Sequence, residues 1–162
     1  MTAMPMPQWP EVDLDAVQRL RVIAAGLPHV AIDEIVIDAP IERVWGFAGD
    51  LERATPIYER GVRSVEILRR DGDLMALSVR TALGFAMSFR AELRFGWCLM
   101  QSRTAHIGMA AAPEGDGTRT RFAHYEGSAL LGRLGLPYFR WNIRGDLRRI
   151  EAAVQSEPAA QG

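Results

Sequence analysis

The chain has 162 residues, of which 48% are hydrophobic, enough for one domain with an apolar core and too few for two. Its formal net charge is −1, and all 19 basic residues are arginines spread along the chain, so we expect no nucleic-acid partner and no field that attracts an anionic membrane. The absence of lysine excludes Schiff-base chemistry and a Walker-type phosphate loop.

Cys98 is the single cysteine, which excludes an intrachain disulfide and a thiolate zinc site and fits a reducing compartment. Residues 1–10 lack the basic start and apolar stretch of a signal peptide, and no later run approaches the roughly 20 apolar residues that span a bilayer. We therefore expect a cytoplasmic protein without membrane insertion.

The first predicted element is a helix in an N-terminal extension, residues 1–28. Residues 1–11 contain three prolines and are predicted to be extended or mobile, and Asp13 or Asp15 can cap the helix that follows. The apolar residues on one face of this helix are Val17, Leu20, Ala24 and Leu27. This stripe has to be buried on the protein's own sheet or on a second subunit, in which case the chain is a homodimer through the helix.

Hydrophobic periodicity then changes from two to nearly four within residues 35–50, which predicts a strand followed by a short helix. Pro40 stands where a helix can begin without an N–H donor. The helical face contains Ile41, Val44, Trp45 and Ala48.

Two hairpins follow, with three-residue loops at 70–72 and 82–84 that each end in a glycine, which tolerates the left-handed conformation there. The first loop predicts that Val65 pairs with Leu77 and Ile67 with Met75. The second loop predicts that Val79 pairs with Met87 and Leu77 with Phe89. One face then carries Val65, Ile67, Met75, Leu77, Val79, Met87, Phe89, Ala91 and Leu93, and the other face is polar.

The last hairpin, residues 105–127, has two candidate registers, and each gives a different chemistry. In one register His106 stands opposite His124 with Glu126 nearby, which is a two-histidine, one-carboxylate metal site. In the other, Met109 meets Phe122 and Ile107 meets His124, so that His106 lies on the polar face. Apolar pairing favours the second register, and we expect no bound metal and no cofactor.

After a turn-rich segment, Pro137 opens a long closing helix, interrupted at Gly145, whose apolar residues recur every three or four positions: Phe139, Ile143, Leu147, Ile150 and Val154. The predicted fold is α+β. A curved antiparallel sheet of six to seven strands wraps around this C-terminal helix, with two short helices after the first strand and an extra N-terminal helix.

This order of elements, together with the spacing of Ile37, Ala39, Pro40, Val44 and Trp45, resembles the START/Bet v 1-like (SRPBCC) superfamily, including its polyketide cyclase/dehydrase and lipid-transport branch. The resemblance covers residues 30–154. It implies a helix-grip domain at 29–156 with a cavity between sheet and closing helix. The composition of residues 157–162 predicts a flexible tail. The string at 118–127 is similar to that of polyketide cyclase-like members.

The resemblance and the inner-face pattern together predict a pocket for a hydrophobic or aromatic molecule such as a polyketide, sterol or lipid. Its candidate ligand-binding residues are Val65, Met75, Leu77, Val79, Met87, Phe89, Ile107, Met109 and Phe122, with Tyr58, Tyr138, Trp141 and Asn142 near the opening. If the protein is an enzyme of the aromatase/cyclase or dehydratase type, His124 and Glu126 are the candidate general acid and base. A third hypothesis is a protein-interaction module with a closed cavity.

Overall fold

The computed structural model describes residues 12–156, so the predictions for residues 1–11 and 157–162 lie outside the described residues. The helices are α1 (Ala16–Gly26), α2 (Ile41–Ala48), α3 (Leu51–Tyr58) and α4 (Leu136–Ser156), the last preceded by a 3₁₀ turn at Gly132–Gly135. The strands are β1 (Val30–Ile37), β2 (Val62–Asp71), β3 (Leu74–Thr81), β4 (Ala86–Arg94), β5 (Trp97–Gln101), β6 (Ala105–Glu114) and β7 (Arg119–Ser128).

The seven strands form one antiparallel sheet in the order β1-β7-β6-β5-β4-β3-β2. The sheet curves around α4, whose buried face contributes Phe139, Ile143, Leu147, Ile150 and Val154 to the main apolar core. The predicted α+β helix-grip architecture is confirmed, including the two short helices after the first strand.

Helix α1 lies on the opposite face of the sheet. Asp15 caps it by accepting a hydrogen bond from the Gln18 backbone N–H at 2.8 Å, and the Gln18 side-chain oxygen accepts one from the Asp15 backbone N–H at 2.9 Å. Its apolar stripe packs on the protein's own sheet, against Trp97, Ala110, Ala112, Ala123 and Tyr125. The N-terminal helix is thus confirmed with its stripe already covered, and a homodimer through it stays a prediction.

The predicted register of the β2–β3 hairpin is wrong. Val65 pairs with Val79 and Ile67 with Leu77, two positions away from the expected partners. The physical reason is a bulge after Ile67 and a tighter turn, in which Gly72 adopts a φ of 60° and only residues 72–73 separate the strands. The faces are unchanged, because a shift of two residues preserves the side-chain alternation.

The register of the β3–β4 hairpin is confirmed: Val79 pairs with Met87 and Leu77 with Phe89. Gly84 has a φ of 89° at the end of the three-residue loop, as the sequence predicts.

Both registers considered for the last hairpin are wrong. Met109 stands opposite His124, Ile107 opposite Glu126, and His106 opposite Gly127. Strand β6 extends two residues further than expected because Pro113 lies beyond the end of the β5 pairing, where its missing N–H costs no hydrogen bond on that side. The observed register keeps the faces of the favoured one, so His124 and Glu126 point toward α4 and His106 does not.

Among residues 12–156, no helix combines the length and the apolar character needed to cross a bilayer.

Candidate functional site

His124 is the centre of a buried polar cluster between β7 and α4. Its Nδ1 lies 3.0 Å from the backbone carbonyl oxygen of Gly108, and its Nε2 lies 2.9 Å from a carboxylate oxygen of Glu126. Gly108 leaves no room for a side chain, because the ring of Tyr125 covers its other face. Strand pairing therefore fixes both the position of the imidazole and the group that its Nδ1 meets.

Helix α4 supplies two more members of the cluster, one turn apart. The amide nitrogen of Asn142 lies 3.2 Å from both carboxylate oxygens of Glu126 and 3.5 Å from Asp146. Asp146 is fully buried, and one of its oxygens lies 3.5 Å from Nε2 of His124. The carboxylates of Glu126 and Asp146 thus both face Nε2 of the imidazole.

The end of α3 closes the cluster on the side nearest solvent. The Asn142 amide donates to Glu59 at 2.7 Å, and Glu59 also accepts from the backbone N–H of Gly61 at 2.7 Å. Arg149 donates to Asp146 at 2.6 Å and to the backbone carbonyl of Tyr58. The network therefore ties α3, β7 and α4 together.

The geometry assigns two protons to the His124 ring. A backbone carbonyl only accepts, so Nδ1 carries a hydrogen, and carboxylates at Nε2 require a second one. Burial acts to lower the pKa of His124, but hydrogen bonds to Asp146 and Glu126 and their charges outweigh it and raise this pKa to about 10. His124 is an imidazolium at neutral pH.

The cluster contains three carboxyl groups and two cations, His124 and Arg149. Burial, followed by the charge of Asp146, raises the pKa of Glu59. Of the three carboxyl groups, Glu59 is also the one that is only half-buried. The three carboxyl groups outnumber the two cations by one. Glu59 is therefore the carboxyl best placed to take up or release a proton.

The apolar residues predicted to line a pocket are packed against one another. Seven are buried and two, Met87 and Ile107, are partly buried, and all nine belong to the core between the sheet and the helices. An open cavity along this face would leave them accessible to water. Grooves of about 550 Å³ lie instead on the outer surface, one beside Ser88 and Arg90 and another along Arg140 and Arg144.

The four residues predicted near the opening divide into two pairs. Asn142 and Tyr58 lie in the interior, where the Tyr58 hydroxyl is 3.4 Å from the sulfur of Met109. Burial raises the pKa of this hydroxyl. Tyr138 and Trp141 are exposed on the first turns of α4, with their ring centroids 6.2 Å apart.

The donor atoms of His124, Glu126 and Asp146 lie within 4.8 Å of one another, a spacing that can hold a metal ion. An ion there would have to displace the proton on Nε2 and share Asp146 with the Arg149 guanidinium. The ion pairs already account for the arrangement, and the expected absence of a metal stays a prediction. The metal set built on His106 is wrong, because His106 lies on the other face.

Sequence reasoning missed Glu59, Asp146 and Arg149. The signal in α4 was the spacing of Asn142, Asp146 and Arg149, four and three residues apart, beside the apolar stripe. A Cβ at position 145 would come within 2.9 Å of the guanidinium of Arg149. Glu59 carried no comparable signal, because it follows a short helix and reaches the cluster only through tertiary packing.

No family model and no curated protein sequence matches the chain. Solved structures do. TTHA0849 from Thermus thermophilus superposes with a TM-score of 0.63 at 23% identity, covering 80% of this chain and 99% of that one. A START superfamily protein from Mycobacterium smegmatis gives 0.59 at 15% identity, with coverage of 78% and 97%. The Zhui aromatase/cyclase from Streptomyces sp. R1128 gives 0.60 at 16% identity, with coverage of 84% and 99%. The protein has the START-like (SRPBCC) fold, as its sequence predicts.

Proposed function

We propose that the protein binds a hydrophobic or aromatic small molecule between its sheet and the first half of α4, with the polar end of the molecule at Glu59, Glu126 and Asn142. The observation that carries this proposal is a charged network at one end of an apolar interior. Buried ionisable groups are costly to the fold and concentrate at functional sites.

The ligand chemistry follows from the charges that face the interior. Glu59 and Glu126 are acceptors, and His124, the cationic partner of Glu126, has no free nitrogen for a ligand. A hydroxyl, phenol or amine donor at one end of the ligand suits these carboxyl groups. The apolar part would displace side chains at the partly buried edge, where Met87 and Ile107 lie, and methionine adapts to such displacement.

Isothermal titration with aromatic polyketides, sterols and fatty acids tests the proposal. Glu59→Gln should weaken binding of a hydroxyl- or amine-bearing ligand by about tenfold, because a charge-assisted hydrogen bond is lost. Glu66→Gln, an exposed carboxylate on β2, is the matched control and should bind as the wild type does. If nothing in the panel binds, the protein-interaction hypothesis with a closed interior replaces this one.

A second candidate is an aromatase/cyclase- or dehydratase-type enzyme, favoured by the raised pKa of Glu59 beside Glu126. In that case the two carboxyls exchange protons with the substrate, and His124, with both nitrogens occupied, holds Glu126 in position as a positioning residue. Glu126→Gln then leaves affinity nearly unchanged and lowers turnover by roughly 10²–10⁴-fold, whereas a binding protein shows no turnover to lose.

We also propose that the protein is cytoplasmic, as the single cysteine leads us to expect.

A further inference from the structure

One end of the sheet carries a set of exposed apolar side chains. At this end β2, β4 and β6 begin, β3, β5 and β7 end, and α4 starts. We call it the basic end and define it as residues 57–63, 80–88, 101–107 and 129–141. Its most exposed apolar residues are Leu134 (93% exposed) and Leu83 (84%), joined by Phe85, Leu130, Tyr138 and Trp141.

Backbone hydrogen bonds connect these segments into one surface. The Ala82 N–H donates to the carbonyl of Gly61 at 2.9 Å, which holds the β3–β4 turn beside the end of α3. The Ala129 N–H donates to the carbonyl of Thr104 at 2.9 Å, which holds the start of the β7–α4 connection beside the β5–β6 loop. The exposed side chains therefore belong to neighbouring loops at one end of the molecule.

The charge of this surface is strongly positive although the whole chain has a net charge of −1. Its exposed basic residues are Arg60, Arg63, Arg80, Arg103, Arg133 and Arg140, and the one carboxyl in these segments is the half-buried Glu59. None of the six forms an ion pair with a carboxylate of residues 12–156. The loops at the opposite end and the first or last residues of the helices and strands beside them contain eight carboxyl groups, at positions 38, 42, 50, 52, 71, 73, 114 and 116.

We propose that the basic end docks on the surface of an anionic lipid bilayer, without spanning it. Leucine and phenylalanine side chains on loop tips suit the acyl boundary, and Trp141 and Tyr138 suit the interfacial zone where aromatic residues concentrate. Unpaired guanidinium groups around them complement anionic headgroups. From the sequence alone we expect no attraction to such a membrane, because the arginines are spread along the chain. The fold brings six of them together at the basic end.

Docking would place Glu59, the half-buried carboxyl of the proposed ligand site, close to the bilayer. An apolar ligand could then pass between membrane and protein without crossing water. The docking itself does not rest on the proposed function, because it is measured with vesicles that contain no added ligand.

Co-sedimentation of the full chain with vesicles tests the proposal. We expect binding to phosphatidylcholine vesicles that contain phosphatidylglycerol at least tenfold tighter than to phosphatidylcholine alone, and weaker binding at about 500 mM salt than at about 50 mM. The double variant Arg133→Ser/Arg140→Ser should lower the partition coefficient by about tenfold or more. Leu134→Ser should also lower it, because its exposed side chain no longer enters the acyl boundary.

Controls come from the opposite part of the molecule, where Arg69→Ser changes an exposed arginine and Phe95→Ser an exposed apolar residue, and both should leave vesicle binding unchanged. The tryptophan emission should shift to the blue on vesicles, and the shift should be lost in Trp141→Phe. Equal binding to both vesicle types, equal losses in the control variants, or no vesicle binding would overturn the proposal. Binding to an acidic protein without vesicle binding would assign the surface to a protein partner instead.

Discussion

The most informative perturbation is Asp146→Asn, which removes one charge from the buried cluster while keeping its shape. Asp146 is fully buried, accepts from Arg149 at 2.6 Å and lies 3.5 Å from Nε2 of His124. Asp146→Asn takes one buried charged partner from both His124 and Arg149, so we expect a loss of about 3–5 kcal/mol in the free energy of unfolding at about pH 7.5.

The pH dependence identifies the group responsible. The pKa of His124 is raised from 6.5 to about 10, so the stability contributed by its bound proton is complete below pH 6.5 and is lost as the pH rises through 10. Between these values one proton separates the folded and unfolded states, and the slope is about 1.4 kcal/mol per pH unit. The wild type should therefore lose about 2–3 kcal/mol between about pH 7.5 and about pH 9.5.

Asp146→Asn should show a smaller loss over the same interval, because the hydrogen bond to Asp146 raises the pKa of His124 more than any other interaction does. Its cost relative to the wild type should shrink by at least about 1 kcal/mol at about pH 9.5. Burial raises the pKa of Cys98 to about 12, and this also weakens the fold at high pH, but equally in both proteins.

Urea denaturation at the two pH values measures all four free energies. Glu34→Gln is the control: it breaks an exposed ion pair with Arg21 and should cost less than about 1 kcal/mol at either pH. A wild-type stability that does not change between the two values, or an identical cost of Asp146→Asn at both, would refute the assignment of an imidazolium at His124.

Two further predictions concern packing, and urea denaturation at neutral pH measures both. Leu77→Ala empties a fully buried position facing α4 and should cost about 2–5 kcal/mol, whereas the exposed Leu68→Ala should cost less than about 0.5 kcal/mol; similar costs would mean that the faces of β2 and β3 are misassigned. Gly108→Ala places a Cβ 2.2 Å from the Tyr125 ring and should cost about 1–3 kcal/mol, whereas Gly46→Ala, with nothing within 4 Å in α2, should be neutral or stabilising. A neutral Gly108→Ala would contradict the close packing of β6 under that ring.

The sequence by itself determined the faces of the sheet and the order of the elements. Side-chain alternation has a period of two, so faces survive a register shift of two residues, and both wrong hairpins were shifted by two. The turn geometry could be predicted where a single glycine determines it, as at Gly84. The register could not be predicted where a bulge follows Ile67, because a bulge depends on contacts with the neighbouring strand.

Tertiary structure alone decided the cluster and the charged surface. His124 and Glu126 were visible as a pair on one strand, but the other two carboxyl groups of the cluster, Glu59 and Asp146, come from the residue after α3 and from α4, and only packing brings these segments together. The arginines likewise look evenly spread along the chain. In an antiparallel sheet, however, every second connection lies at the same end of the sheet, so distant parts of the sequence meet there. Coulomb energies depend on distance in space and not on separation in sequence, so the pKa of His124 and the polarity of the surface follow from the fold.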